Sequence, residues 1–203
     1  MLFFSRNACF IWLTEQQHLL YLQIMFTAFF SPAFIFISAF LYALSFGLNS
    51  LFLESFTYSL GVAWIFLPAG LRLLLTLLFA QSGAVGIALA SSIIAVTFYF
   101  NDLVLGVAAG ITSGLAPFIA RYLALKDMGL TDNLATLDGS KLLNCIFIYS
   151  LISPILHQTL FTIADPKNNF FDNLGVMIIG DLIGSMIVIY SAKGVIYLVK
   201  NTK

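Results

Sequence analysis

From Leu19 to Ser50 the chain runs without a single charged residue. A helix crosses the hydrocarbon core of a bilayer with about 20 predominantly apolar residues, so this stretch alone is long enough to span. Breaks at Gly, Pro, Asn and Asp divide the apolar sequence into six such spans. They lie within Leu19 to Ser50 and at about Tyr58 to Ala80, Ala84 to Phe100, Leu103 to Leu123, Leu142 to Ile163 and Asn173 to Leu198. Between them stand Gln81-Ser82-Gly83, read as a tight turn, Asn101-Asp102, the polar stretch Lys126 to Lys141, and Asp165-Pro166-Lys167-Asn168-Asn169. The expected fold is an all-α integral membrane protein: a bundle of six transmembrane helices over residues 19–200, with no second, soluble domain. Residues 1–18 form an amino-terminal cytoplasmic or interfacial segment, in which Ala8 to Leu13 is apolar and Glu15-Gln16-Gln17-His18 is polar. A cleaved signal peptide lacks its small-residue cleavage signature there.

Composition excludes the soluble alternatives. Hydrophobic side chains make up 61% of the 203 residues and charged ones 9%, against about 25% charge in soluble domains. With mean hydropathy +1.01, that surplus does not fit inside a core of this size. Nine Lys and Arg balance nine Asp and Glu, which leaves no global basicity for nucleic-acid binding. Cys9 and Cys145 are far apart and the two histidines, His18 and His157, are widely separated, so local spacing builds no metal site.

The few charges are informative by position, because Lys and Arg accumulate in cytoplasmic loops. With both termini cytoplasmic, the inside carries Arg6, Arg121, Lys126, Lys141, Lys193, Lys200 and Lys203, and the outside only Lys167, with Glu54, Asp102, Asp165 and Asp172. An even number of spans is needed for this agreement.

Small residues mark close helix contacts, since lipid tails are as apolar as Leu and association depends on packing. Gly106, Gly110 and Gly114 recur every fourth residue in the fourth span, and Gly180 and Gly184 repeat the spacing in the sixth. Such stripes form the tight centre of a bundle or, on the functional reading, a homodimer face. Pro32, Pro68, Pro117 and Pro154 are expected inside spans, as kinks.

Ionisable groups in hydrocarbon cost about 2.5 to 3.5 kcal/mol on insertion scales and face a partner or a cavity. Arg72, His157 and Asp181 are the three candidates, with Gln158 beside the second. At 1.5 Å per residue, Arg72 falls about 5 Å to the cytoplasmic side of its span centre, and His157 and Asp181 about 6 to 7 Å to the outer side of theirs. Two arrangements satisfy these positions. One is a polar pocket opening outward, lined by His157, Gln158 and Asp181 and closed below by Arg72; the other is an internal polar network that fixes helix register. No HExxH, GxSxG or Walker-type loop occurs, and the expectation is a non-catalytic protein without a cofactor.

Trp64-Ile65-Phe66-Leu67-Pro68-Ala69-Gly70-Leu71-Arg72, followed after an apolar stretch by Gly83-Ala84-Val85-Gly86-Ile87-Ala88-Leu89-Ala90, resembles the MASE-type integral membrane sensor domains of bacteria, over about residues 55–165. In that family a Trp and Pro-Ala-Gly precede a Leu-rich stretch, and an output module follows; here the Trp lies four residues before Pro68, and Asn201-Thr202-Lys203 follow the sixth span. The resemblance implies a multi-pass bundle of the bacterial inner (plasma) membrane that signals through a protein partner or homo-oligomer; with the polar pocket and the glycine faces, the leading expectation is a non-catalytic sensory or accessory subunit that binds a small ligand or partner helices within the membrane. A small-solute transport component, similar to the substrate-binding subunits of energy-coupling vitamin transporters, and a structural subunit of a larger membrane complex are the other readings.

Overall fold

The computed structural model describes residues 31–127 and 137–201. The amino-terminal segment 1–18 and the start of the first expected span lie outside them. The described chain is all-α apart from one small hairpin. Helix α1 covers Pro32–Phe52; a short turn, Glu54–Phe56, leads into strands β1 (Thr57–Ser59) and β2 (Val62–Ala63), paired antiparallel. Helix α2 covers Leu67–Ile94 and ends in a π-turn, Ala95–Tyr99. Helices α3 (Leu103–Asp127), α4 (Gly139–Ala164) and α5 (Phe170–Asn201) follow. Among the described residues, five helices are long and apolar enough to cross a membrane, α2 being counted together with its π-turn.

Helix α2 is not one rod. Ala80 has φ 47° and ψ −123°, and the chain doubles back there. A Cβ placed on Gly83 would sit 2.5 Å from the carbonyl oxygen of Leu75. Arg72 and Ser91 both bond the hydroxyl of Tyr42, although a straight helix would hold them about 28 Å apart. The two arms therefore run antiparallel, as the Gln81-Ser82-Gly83 signal implies, with the reversal itself one residue earlier.

The second expected span is helical only from Leu67. Tyr58 to Phe66 is non-helical instead, although its hydropathy matches that of a helix. Backbone at this depth must find hydrogen-bond partners within the protein, and it does. Trp64 N–H donates to Phe56 O (2.9 Å), Phe66 N–H to Gly180 O (3.2 Å), and Leu67 N–H to the Asn49 side-chain oxygen (3.0 Å). Gly180 and Gly184 make room for this extended chain: a Cβ on either would collide with the carbonyl oxygens of Ala63 and Phe66 respectively. Pro68 accordingly opens a helix, as does Pro32; both stand at the first turn, where a missing N–H costs nothing. The expected kink sites narrow to Pro117 and Pro154.

The glycines of the α3 stripe also meet this chain's own backbone or side chains. Gly106 faces Val96, Gly110 faces Ser92, and Gly114 faces Ala84 and Ala88, so the stripe of α3 lies along the second arm of α2. The apolar centre gathers Ala69, Leu73 and Leu77 with Ala116, Ala120, Ile146, Tyr149 and Ile189. Outside, Phe36, Phe98, Val104 and Phe171 are at least 72% exposed, whereas Arg72, His157, Gln158 and Asp181 are at most 4% exposed. Polar groups inside and large apolar ones outside are what lipid as solvent requires.

Candidate functional site

Five polar side chains from four helices meet in one hydrogen-bonded strip. Arg72 Nη2 donates to Tyr42 Oη (3.1 Å), the Tyr42 hydroxyl to Ser91 Oγ (3.4 Å), and the Ser91 hydroxyl to Ser113 Oγ (2.9 Å). Ser113 Oγ lies 3.2 Å from His157 Nε2, and His157 Nδ1 lies 2.8 Å from the carbonyl oxygen of Ser153. Carbonyls only accept, so the network assigns the ring proton to Nδ1. In the neutral ring Nε2 is then an acceptor. The Ser113 hydroxyl has one proton, shared between Ala109 O at 3.0 Å and His157 Nε2 at 3.2 Å. Donation therefore runs from a guanidinium that has only donors through Tyr42 and Ser91 to Ser113.

The depth of the strip follows from helix rise. Tyr42 is ten residues before the end of α1, Ser113 ten after the start of α3, and His157 seven before the end of α4. At 1.5 Å per residue they sit about 10 to 15 Å below those helix ends. The same ends carry Glu54, Asp102, Asp165, Lys167 and Asp172.

The guanidinium is held by its faces as well as its edge. Its Cζ lies 5.3 Å from the Tyr42 ring centroid and 5.1 Å from that of Phe66, a cation–π arrangement that strengthens as water is removed. Nε and Nη1 have no hydrogen-bond partner. All five polar residues line a cavity of about 60 Å³, whose other wall includes Phe46, Phe66, Tyr99, Phe100 and Phe161. Gly61, Phe66 and Tyr99 are shared with a larger neighbouring cavity of about 280 Å³, bordered by Asn49, Ser50, Glu54 and Thr57. The non-helical chain between α1 and α2 thus forms part of the cavity's rim. Gly61 is in the left-handed region (φ 73°) and turns the β1–β2 hairpin.

The four residues singled out from sequence divide between different surroundings. Arg72 and His157 share the cavity. Gln158 faces elsewhere: Asn168 Nδ2 donates to its Oε1 (3.0 Å), and its Nε2 approaches Met177 Sδ at 3.6 Å. Asp181 is fully buried on α5 with neither carboxylate oxygen hydrogen-bonded. It faces Ser153 and interacts electrostatically with Arg72 and Tyr149. Thr76, Tyr149, Ser153 and Ser185 are buried as well. Helices α2, α4 and α5 therefore enclose a polar seam. Tyr42, Ser91 and Tyr99 carry no signal of their own in the sequence, because isolated hydroxyls are common in membrane helices. Ser113 is noticed there only as a flank of the glycine stripe.

Among the described residues no group of three or more His, Cys, Asp or Glu is arranged to hold a metal ion. Fold and site together define an all-α protein whose helices are long and apolar enough to cross a membrane, with a cavity between them that holds a polar strip. No family model matches the chain, and neither a characterised protein nor a solved structure shows significant similarity to it.

Proposed function

We propose that this chain is a non-catalytic integral membrane subunit, sensory or accessory in role, that binds a small ligand between its helices and acts through a partner chain or a second copy. Its place is the bacterial inner membrane, crossed six times with both termini cytoplasmic. The observation that carries the reading is the cavity at Arg72. A buried cation with open donors is costly to maintain, and here it is fixed by two aromatic rings and the Tyr42 hydroxyl beside a cavity.

The six-span count is supported by the reversal at Ala80 and by the charge distribution. Arg121, Lys126, Lys141 and Lys193 fall at the opposite helix ends from Glu54, Asp102, Asp165 and Asp172. The cavity lies toward the acidic end, and Leu73, Leu77, Ala116, Ala120 and Ile146 pack tightly on its other side. Access from one face favours binding and signalling over passage through the bundle.

The test is purification of the full chain in mild detergent, followed by native mass spectrometry of the wild type and of Arg72→Gln. A small molecule retained by the wild type and lost from a folded Arg72→Gln protein supports the reading. A wild-type cavity that neither retains a small molecule nor takes one up from a broad metabolite mixture overturns it. Ligand-dependent uptake into proteoliposomes would replace the sensory role with transport.

A further inference from the structure

We propose that the cavity at Arg72 binds a short-chain monocarboxylate, its carboxylate on the guanidinium and its apolar body against the aromatic wall. This rests on the ligand-binding reading above and adds the chemical class of the ligand.

Charge comes first. The cavity lining contains one cation, Arg72, one histidine and no carboxylate. Arg72 is 4% exposed, and Asp181, its nearest buried acid partner by electrostatics, neither lines the cavity nor hydrogen-bonds to it. A lining with one guanidinium and no carboxylate suits a ligand with a single anionic group; each further buried charge would need a partner of its own.

Hydrogen-bonding capacity selects the same chemistry. The hydroxyl protons of Tyr42, Ser91 and Ser113 are already committed along the strip, and what those oxygens retain are lone pairs. The donors left over are the N–H groups of Arg72 Nε and Nη1. A ligand that satisfies them must present acceptors, and charge-assisted bonds to a carboxylate are the strong form of that contact. The Tyr99 hydroxyl, within electrostatic range of both Tyr42 and Arg72, stands beside the same position.

Size and polarity set the rest of the molecule. The cavity measures about 60 Å³, and one water needs about 10–15 Å³ on this measure, so it holds roughly four to six groups of that size. That is a carboxylate with about two to four carbons in all. Phe46, Phe66, Phe100 and Phe161 also line it, which suits a methylene body and disfavours a sugar or a zwitterion. The larger cavity adjoins it at Gly61, Phe66 and Tyr99, which line both. The one acid bordering that cavity, Glu54, is exposed, and salt screens it from the buried guanidinium.

The experiment uses the full-length protein in detergent, titrated with sodium butyrate, butyramide, butylammonium chloride and sodium chloride at matched ionic strength. Thermal unfolding midpoint and titration calorimetry are the readouts. Expected is a saturable upward shift with butyrate, at least tenfold weaker affinity for butyramide and for butylammonium, and no shift with chloride alone. Arg72→Lys, which keeps the charge, should weaken butyrate binding by tenfold or more. Butyramide binding as tightly as butyrate would overturn the carboxylate and leave the ligand-binding reading standing. Chloride reproducing the butyrate shift would overturn the role of the apolar body. If butyrate does not bind, the proposal fails, and the retained-ligand measurement on the same preparation decides the broader reading separately.

Discussion

Gly70→Ala tests whether α5 is packed as closely onto the start of α2 as the structure has it. A Cβ at this position would sit 2.6 Å from Gly184 O, 2.7 Å from Val188 Cβ and 2.8 Å from Ser185 Cα, where ordinary contact begins at 3.4 Å. The deficit is therefore about 0.6 to 0.8 Å against three atoms of one helix. Two of the three are backbone, so no rotamer change relieves them and α5 itself must shift. Overpacking of this kind costs about 1–3 kcal/mol, set against the roughly 1 kcal/mol that Ala gains over Gly within a helix.

Gly47→Ala is the matched control, also inside a helix but with nothing within 4 Å of the new Cβ. Both variants share the propensity gain, so their difference isolates the clash. With about 2–4 °C per kcal/mol for a chain of this size, the Gly70→Ala unfolding midpoint should lie about 2–12 °C below that of Gly47→Ala. Differential scanning fluorimetry of both proteins in one detergent measures it. A Gly70→Ala midpoint equal to or above that of Gly47→Ala would refute the close approach, and with it the packing that brings Arg72 and Asp181 into one seam.

Tyr42→Phe keeps the ring beside the Arg72 guanidinium but removes the oxygen that joins Arg72 to Ser91. A further buried donor is left unsatisfied, so stability should fall by about 1–3 kcal/mol, seen as a lower unfolding midpoint; an unchanged midpoint would mean that Arg72 Nη2 does not depend on this hydroxyl. Ala80→Gly should act in the opposite direction. Ala80 carries a positive φ that an L side chain resists, and relief by glycine outweighs its extra chain entropy by up to about 1 kcal/mol. A midpoint lower than wild type would show that the reversal at Ala80 is not strained.

Much of this protein was legible in its sequence because membrane insertion is a matter of composition over length. Runs such as Ala84 to Phe100 are apolar and uncharged, and a helix satisfies its own backbone in lipid whatever its neighbours do. Arg72, His157 and Asp181 stand out for the same reason: an ionisable group in such a run must be sheltered by protein, and all three are buried. The reversal between the arms of α2 falls at Ala80, beside the expected turn Gln81-Ser82-Gly83, which is itself helical.

What tertiary structure alone decided is which groups meet, and which backbone gives up its own helix. Hydropathy cannot separate Tyr58 to Phe66 from a spanning helix, because the chain there is just as apolar. Its extended form is stable only because Asn49, Phe56 and Gly180 supply hydrogen-bond partners and Gly180 and Gly184 leave space. Tyr42, Ser91 and Ser113 are ordinary hydroxyl residues until three helices bring them into line between Arg72 and His157. Gln158 and Asp181, close to His157 in expected depth, point to other neighbours, because depth along an axis does not fix which way a side chain faces. Sequence thus determined the solvent and the cost of each buried charge, whereas the cavity at Arg72 is a product of long-range packing.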